Sequence, residues 1–245
     1  MNKIQLIIFA FFLFSLQCVS SANTKIYITT GFTSPVSDFY REVLSEADKR
    51  LKNISISFET LPAERSLVLA NRGINDGECC RIPTLIINEY NNLVPVNESF
   101  FSARFSAFAK QDAIDIKRFE DLKPYSVGTV EGWKIAVKKV KAIKPAQTHI
   151  VTTPEQMFHM LDQHRLDYGI MGYLSGLQVI TTLNMDNIKA IQPPLVEKPL
   201  FLLLHKKHKS LIPKFNKVIK HMKNDGTIDN LYRKLLVNLK QKHNG

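Results

Sequence analysis

The chain has 245 residues, 44% hydrophobic and 22% charged, with 33 Lys+Arg against 22 Asp+Glu for a formal charge of +11. That balance excludes disorder, collagen and a long coiled coil, and three Cys are too few for a disulfide scaffold. The length suits one large domain or two small lobes with ample core.

Residues 1–22 read as a secretory leader. Met1-Asn2-Lys3 is a short basic start, residues 4–16 are apolar except for Gln5 and Ser15, and Ser20 and Ala22 supply the small residues of a cleavage site. A lipoprotein signal at Cys18 would want a small residue before it, where Gln17 stands. The apolar run is short for a transmembrane helix, and no later segment approaches about twenty apolar residues. Removing the leader takes away Lys3 and no acid, which leaves +10 with Cys79 and Cys80 as the remaining cysteines. A ring closed by adjacent cysteines is strained, so these two are expected as small buried residues. An export signal with so few cysteines points to the periplasm of a Gram-negative bacterium, where the glycosylation patterns at Asn53 and Asn97 are chance.

Residues 25–30 alternate and predict a strand ending at Gly31. Val36, Phe39, Val43, Leu44, Ala47 and Leu51 recur at helical spacing. Ile54, Ile56 and Phe58 mark a second strand, broken at Leu61-Pro62. A helix then runs through Leu67 and Leu69 to Arg72, with Gly73 where a left-handed C-cap is wanted. This is the opening of an α/β domain with a parallel sheet. Residues 93–96 and 104–109 are further strands, followed by a polar stretch over 110–122.

A second α/β unit follows. Residues 125–130 predict a strand, Gly132-Trp133 opens a helix to about Ala142, and 150–151 is a short strand. Thr153-Pro154-Glu155-Gln156 is a capping-box helix start, with Met157, Met160 and Leu161 on that helix. Residues 166–171 and 188–191 are strands. The apolar run 201–204 suits a buried strand. Two amphipathic helices close the chain, one marked by Leu211, Ile212, Phe215, Val218, Ile219 and Met222 and the other by Ile228, Leu231, Leu235, Leu236 and Leu239. Asp225-Gly226 separates them. Joins near 105–110 and 195–200 mean that the chain crosses twice between lobes. A double crossing makes a hinge, and the cleft beside it is where a ligand goes. The expected lobes are 23–108 with 198–245, and 109–197.

Four stretches carry a family resemblance. Leu61-Pro62-Ala63-Glu64-Arg65-Ser66-Leu67 precedes Gly73-Ile74-Asn75-Asp76-Gly77. Phe119-Glu120-Asp121-Leu122 precedes Val127-Gly128-Thr129-Val130-Glu131-Gly132. The third is His164-Arg165-Leu166-Asp167-Tyr168-Gly169-Ile170, and the fourth is Met222-Lys223-Asn224-Asp225-Gly226-Thr227-Ile228. In this order they resemble the bacterial extracellular solute-binding protein family 3, which includes polar amino-acid receptors of ABC transporters. The resemblance implies the two-lobed α/β type 2 periplasmic binding protein fold, with mixed sheets, flanking helices and a two-crossing hinge. It also implies a monomeric venus-flytrap receptor that closes on its solute and presents it to a membrane permease or a sensor. Two departures stand out. Amino-acid receptors of this family clamp the α-carboxylate with an Arg where this chain has Ile87-Asn88-Glu89-Tyr90. They hold the α-ammonium with an Asp where it has Gly172. The expected solute is therefore a small polar or anionic molecule other than a standard α-amino acid.

The expected ligand-binding residues are Phe32, Arg65, Glu78, Arg81, Glu131, Gly132, Trp133 and Tyr173. Trp133, the sole Trp, follows Gly132 at a helix N-terminus whose N–H groups favour an anion, and its indole is either a stacking face or lobe packing. Arg65 either clamps a carboxylate or pairs with Glu64 or Glu42. Glu78 and Arg81 flank the cysteines. Arg81 is either the substitute clamp or Glu78's ion-pair partner. Phe32, Tyr173 and Ser175 form walls or loop packing.

His205 with His208, and His159 with His164, lack the other ligands of a metal set, so no metal or cofactor is expected. Export argues against nucleic acid, and the Lys-rich C-terminal stretch reads as a solvated face. Two alternatives stay open. One is a dehydratase-like or other periplasmic enzyme on the same scaffold, using Glu78, Glu131 or Asp167 as acid or base. The other is a non-binding sensory or scaffold lobe, favoured by a tightly packed apolar cleft.

Overall fold

A computed structural model of the protein describes residues 23–114 and 116–241, and the expected leader, with Cys18, lies outside the described residues. The chain opens with β1 (Thr24–Thr30), α1 (Val36–Arg50), β2 (Ile54–Thr60) and α2 (Ala63–Asn71). Helix α1 buries Val36, Phe39, Val43, Leu44 and Ala47 of the stripe its spacing predicts, and Tyr40 besides. Gly73, at φ +71°, ends α2 in the left-handed conformation that a side chain resists, and Ile74 N–H closes back onto the Leu69 carbonyl at 3.0 Å.

Next come β3 (Gly77–Arg81), α3 (Pro83–Ile86), β4 (Leu93–Pro95) and β5 (Phe101–Lys110). A 3-10 turn at Phe119–Leu122 precedes β6 (Ser126–Val130), α4 (Lys134–Ile143), β7 (Gln147–Val151), α5 (Pro154–Asp162), β8 (Tyr168–Gly172) and α6 (Tyr173–Leu183). The chain ends through β9 (Ile188–Ala190), β10 (Val196–His205), a second 3-10 segment at Lys206–Leu211, α7 (Ile212–Asn224) and α8 (Thr227–Gln241). Sequence reading omits β3 and α6, and it places Glu78 and Arg81 beyond a strand end. They lie within β3 instead.

The strands follow one path, β2-β1-β3-β10-β5-β8-β6-β7, with β4 on β10 and β9 on β5. β1 pairs in parallel with β2 and β3, and β6 with β7 and β8. The two ten-residue strands in the middle run antiparallel, Val196 facing Phe105 and Leu200 facing Phe101. Beyond that shared ladder β10 continues into the first half, against β3 and β4. β5 continues into the second half, against β8 and β9. The chain thus leaves the first half along β5 and returns along β10.

Each half has its own core. Ile26, Ile28, Leu202, Leu204 and Phe215 belong to one, while Ile116, Leu122, Val127 and Ile170 belong to the other. A fully buried Leu contributes about 1.5–3 kcal/mol, so the run Leu200, Leu202, Leu203 and Leu204 anchors β10 firmly in the first half. Cys79 and Cys80 are fully buried in that core, as expected of small residues, but they are bonded to each other as a vicinal disulfide. The expectation of two separate side chains is corrected on that point. Among the described residues no helix is long and apolar enough to cross a membrane.

Candidate functional site

In open α/β sheets ligands collect at the carboxyl ends of parallel strands. Three such ends meet at the seam here. β1 delivers Phe32, β6 delivers Trp133 through Glu131-Gly132, and β8 delivers Tyr173 directly from Gly172. They surround a small pocket of about 40 Å³ floored by Phe101 to Phe105 of the crossing strand, with Tyr232 of α8 at one side. Both halves of the fold therefore contribute walls.

Trp133 packs edge-on to Phe105, ring centroids 5.7 Å apart at 86°. Its far edge rests on Gly172. A Cβ at that position would lie 2.5 Å from one indole carbon and 2.6 Å from the next, so a side chain there displaces the indole. Phe32 stands edge-on to Tyr40, 5.7 Å apart, and the Arg81 guanidinium carbon sits 5.3 Å over its other face.

Arg81 is Glu78's ion-pair partner, Nη2 to Oε1 at 2.6 Å, which is the structural alternative rather than the clamp. Glu78 is fully buried. It also accepts from Gly31 N–H at 3.3 Å and from the Ser66 hydroxyl. Burial pushes its carboxyl up to about 7, against the opposing pull of Arg81 and these hydrogen bonds. Gly31 fits because a Cβ would strike both the Ala63 backbone and Arg81, each at 2.4 Å. The Glu78–Arg81 pair thus braces Phe32 from behind.

Sequence reading misses Arg104, the one charged residue lining the pocket among those described. Its side chain is 41% exposed, its Nε donates to Glu197 Oε1 at 3.1 Å, and its guanidinium carbon stands 5.6 Å over the Tyr232 ring. Burial raises the phenol pKa values of Tyr173 and Tyr232, and the charge of Arg104 pulls both back. The available signal was a cation inside an otherwise small and apolar strand, Phe101-Ser102-Ala103-Arg104-Phe105.

Of the eight expected residues, the structure brings Phe32, Trp133 and Tyr173 into one pocket, with Glu78 and Arg81 behind it and Gly132 leading into Trp133. Arg65 and Glu131 are exposed and do not line it. Neither expected ion pair of Arg65, with Glu64 or with Glu42, forms among the described residues. Glu131 N–H bonds the Val151 carbonyl at 2.8 Å, and Asp167 accepts from Ser126 N–H at 2.7 Å to tie β8 to β6.

No family model matches the sequence, and no curated protein matches it. Solved structures do match in fold. The probable amino-acid ABC transporter extracellular-binding protein YtmK of Bacillus subtilis aligns over 87% of this chain and 98% of its own, at TM-score 0.71 and 19% identity. The L-cystine solute receptor of Neisseria gonorrhoeae, unliganded and open, aligns over 87% and 92%, at 0.69 and 19%. A histidine kinase sensor domain similar to periplasmic binding proteins aligns over 88% and 97%, at 0.62 and 12%. The chain has the periplasmic binding protein fold.

Proposed function

We propose that this protein is an exported solute-binding protein that closes its two halves on a small polar or anionic solute. The closed form would be presented to an ABC transporter or to a membrane sensor. The observation that carries this reading is the pocket at the seam, walled from both halves over the only pair of strands that crosses it among the described residues. Solute contacts made to both walls exist only in the closed form, so they shift the population toward it. Structures of like fold include a transporter receptor and a sensor domain, which supports both kinds of partner. The enzyme alternative loses ground because Glu78, Glu131 and Asp167 all stand outside the pocket lining. The scaffold alternative gains from the aromatic walls and the small volume, which leave the seam less polar and less open than expected, and loses from the cation among the lining residues.

The test is a melting screen of the protein against small metabolites, read together with Trp133 fluorescence. A true solute at a hundredfold its Kd raises the melting temperature by about 5–10 °C and changes the emission saturably. A broad panel without either response overturns the reading, and turnover of a hit moves it to an enzyme.

A further inference from the structure

We infer that the pocket selects a planar or aromatic carboxylate lacking an α-ammonium group. This rests on the solute-binding reading and names the solute class for that same pocket. Three features point to it. The walls are aromatic on both sides of the seam, with Phe32, Phe101 and Tyr232 from the first half and Trp133 and Tyr173 from the second, so they suit a flat ring or unsaturated body.

The one charged group lining the pocket among the described residues is Arg104, which is ion-paired with Glu197. Arg104 uses Nε for Glu197 and stands 3.5 Å from the Tyr232 hydroxyl through Nη1, while Nη2 has no hydrogen-bond partner among the described residues. Of a guanidinium's five donors, enough remain to take a carboxylate. No acid lines the pocket among the described residues, and the neighbouring Glu197 carboxylate is already paired with Arg104, so an ammonium entering the pocket would lose its hydration without a free counter-charge.

The third feature is Gly172. The indole of Trp133 occupies the space into which any side chain at 172 would project, so an acid cannot be installed there while the indole holds its place. The same contact that presents the indole to the solute removes the site for a cation partner.

A matched set of probes tests this, read by Trp133 fluorescence on the full chain: 3-phenylpropanoate, L-phenylalanine and phenethylamine. The first two differ by the α-ammonium, the last two by the carboxylate. The expected order puts 3-phenylpropanoate at least about tenfold tighter than L-phenylalanine, with phenethylamine giving no saturable change. Arg104→Gln, a partly exposed position, weakens 3-phenylpropanoate about tenfold or more with the melting temperature of the free protein retained. Equal or tighter binding of L-phenylalanine, or an unchanged affinity in Arg104→Gln, overturns the class. If none of the three binds while another metabolite in the screen does, the class falls and the solute-binding reading stands. If nothing in the screen binds, both fall.

Discussion

Glu78 shows how one buried group can record the pH of its surroundings. Its carboxyl is pushed up from 4.5 to about 7, chiefly by burial. A raised acid pKa means that the folded protein holds a proton that the unfolded chain has released, throughout the window between those values. Stability from this group is therefore greatest below about 4.5, falls as pH rises through the window and levels off above about 7. The denaturant midpoint should fall between pH ~5 and pH ~8, and Glu78→Gln should remove that part of the slope. Parallel slopes in the two proteins would sink the assignment. Arg104 makes the opposite point about legibility. Its type and position are visible in the sequence, but its role depends on β5 being the crossing strand, which pairing with β10 decides.

Helix termini give the clearest element-scale expectation. Thr153 accepts a hydrogen bond from Gln156 N–H at 3.2 Å, with Pro154 in the first turn, which is the N-cap half of the expected capping box; the Gln156 side chain instead accepts from Thr152 N–H at 3.3 Å, so the reciprocal half does not form. Thr153→Ala should lower unfolding free energy by about 1 kcal/mol, measured by urea denaturation, with solute affinity unchanged. A loss near zero would mean that solvent satisfies that donor equally well. Asp225 accepts from Thr227 N–H at 3.0 Å to start α8, and Arg50 reaches it from the end of α1 at 2.5 Å. Elements with a clean period were legible. Those that were not have physical reasons. β3 is Gly-Glu-Cys-Cys-Arg, buried along most of its length, so it shows no alternation, and its charges pair internally. α6 is rich in β-branched residues and carries Gly176, whose bare Cα lets the Phe108 ring approach within 2.1 Å of where a Cβ would stand.

At the scale of the whole molecule, a core in each half and one antiparallel pair of strands between them make relative motion the default, although Leu174 of the second half packs into the first half's core. α8 tempers it. That helix packs on α1 in the first half and also touches α6 in the second, where the Thr181 hydroxyl donates to the Leu239 carbonyl at 3.1 Å. Closure should show as a fall in the radius of gyration by small-angle scattering when a solute from the melting screen is saturating. An unchanged radius with saturated fluorescence would mean a pocket that fills without moving. The linkage between Cys79 and Cys80 makes a sharper measurement practical. Both cysteine sulfurs of residues 23–245 are consumed by each other. Thiol chemistry applied to a chain of residues 23–245 would then find no native target, so Glu42→Cys and Lys141→Cys, exposed on opposite halves, can take paired spin labels without first stripping the background.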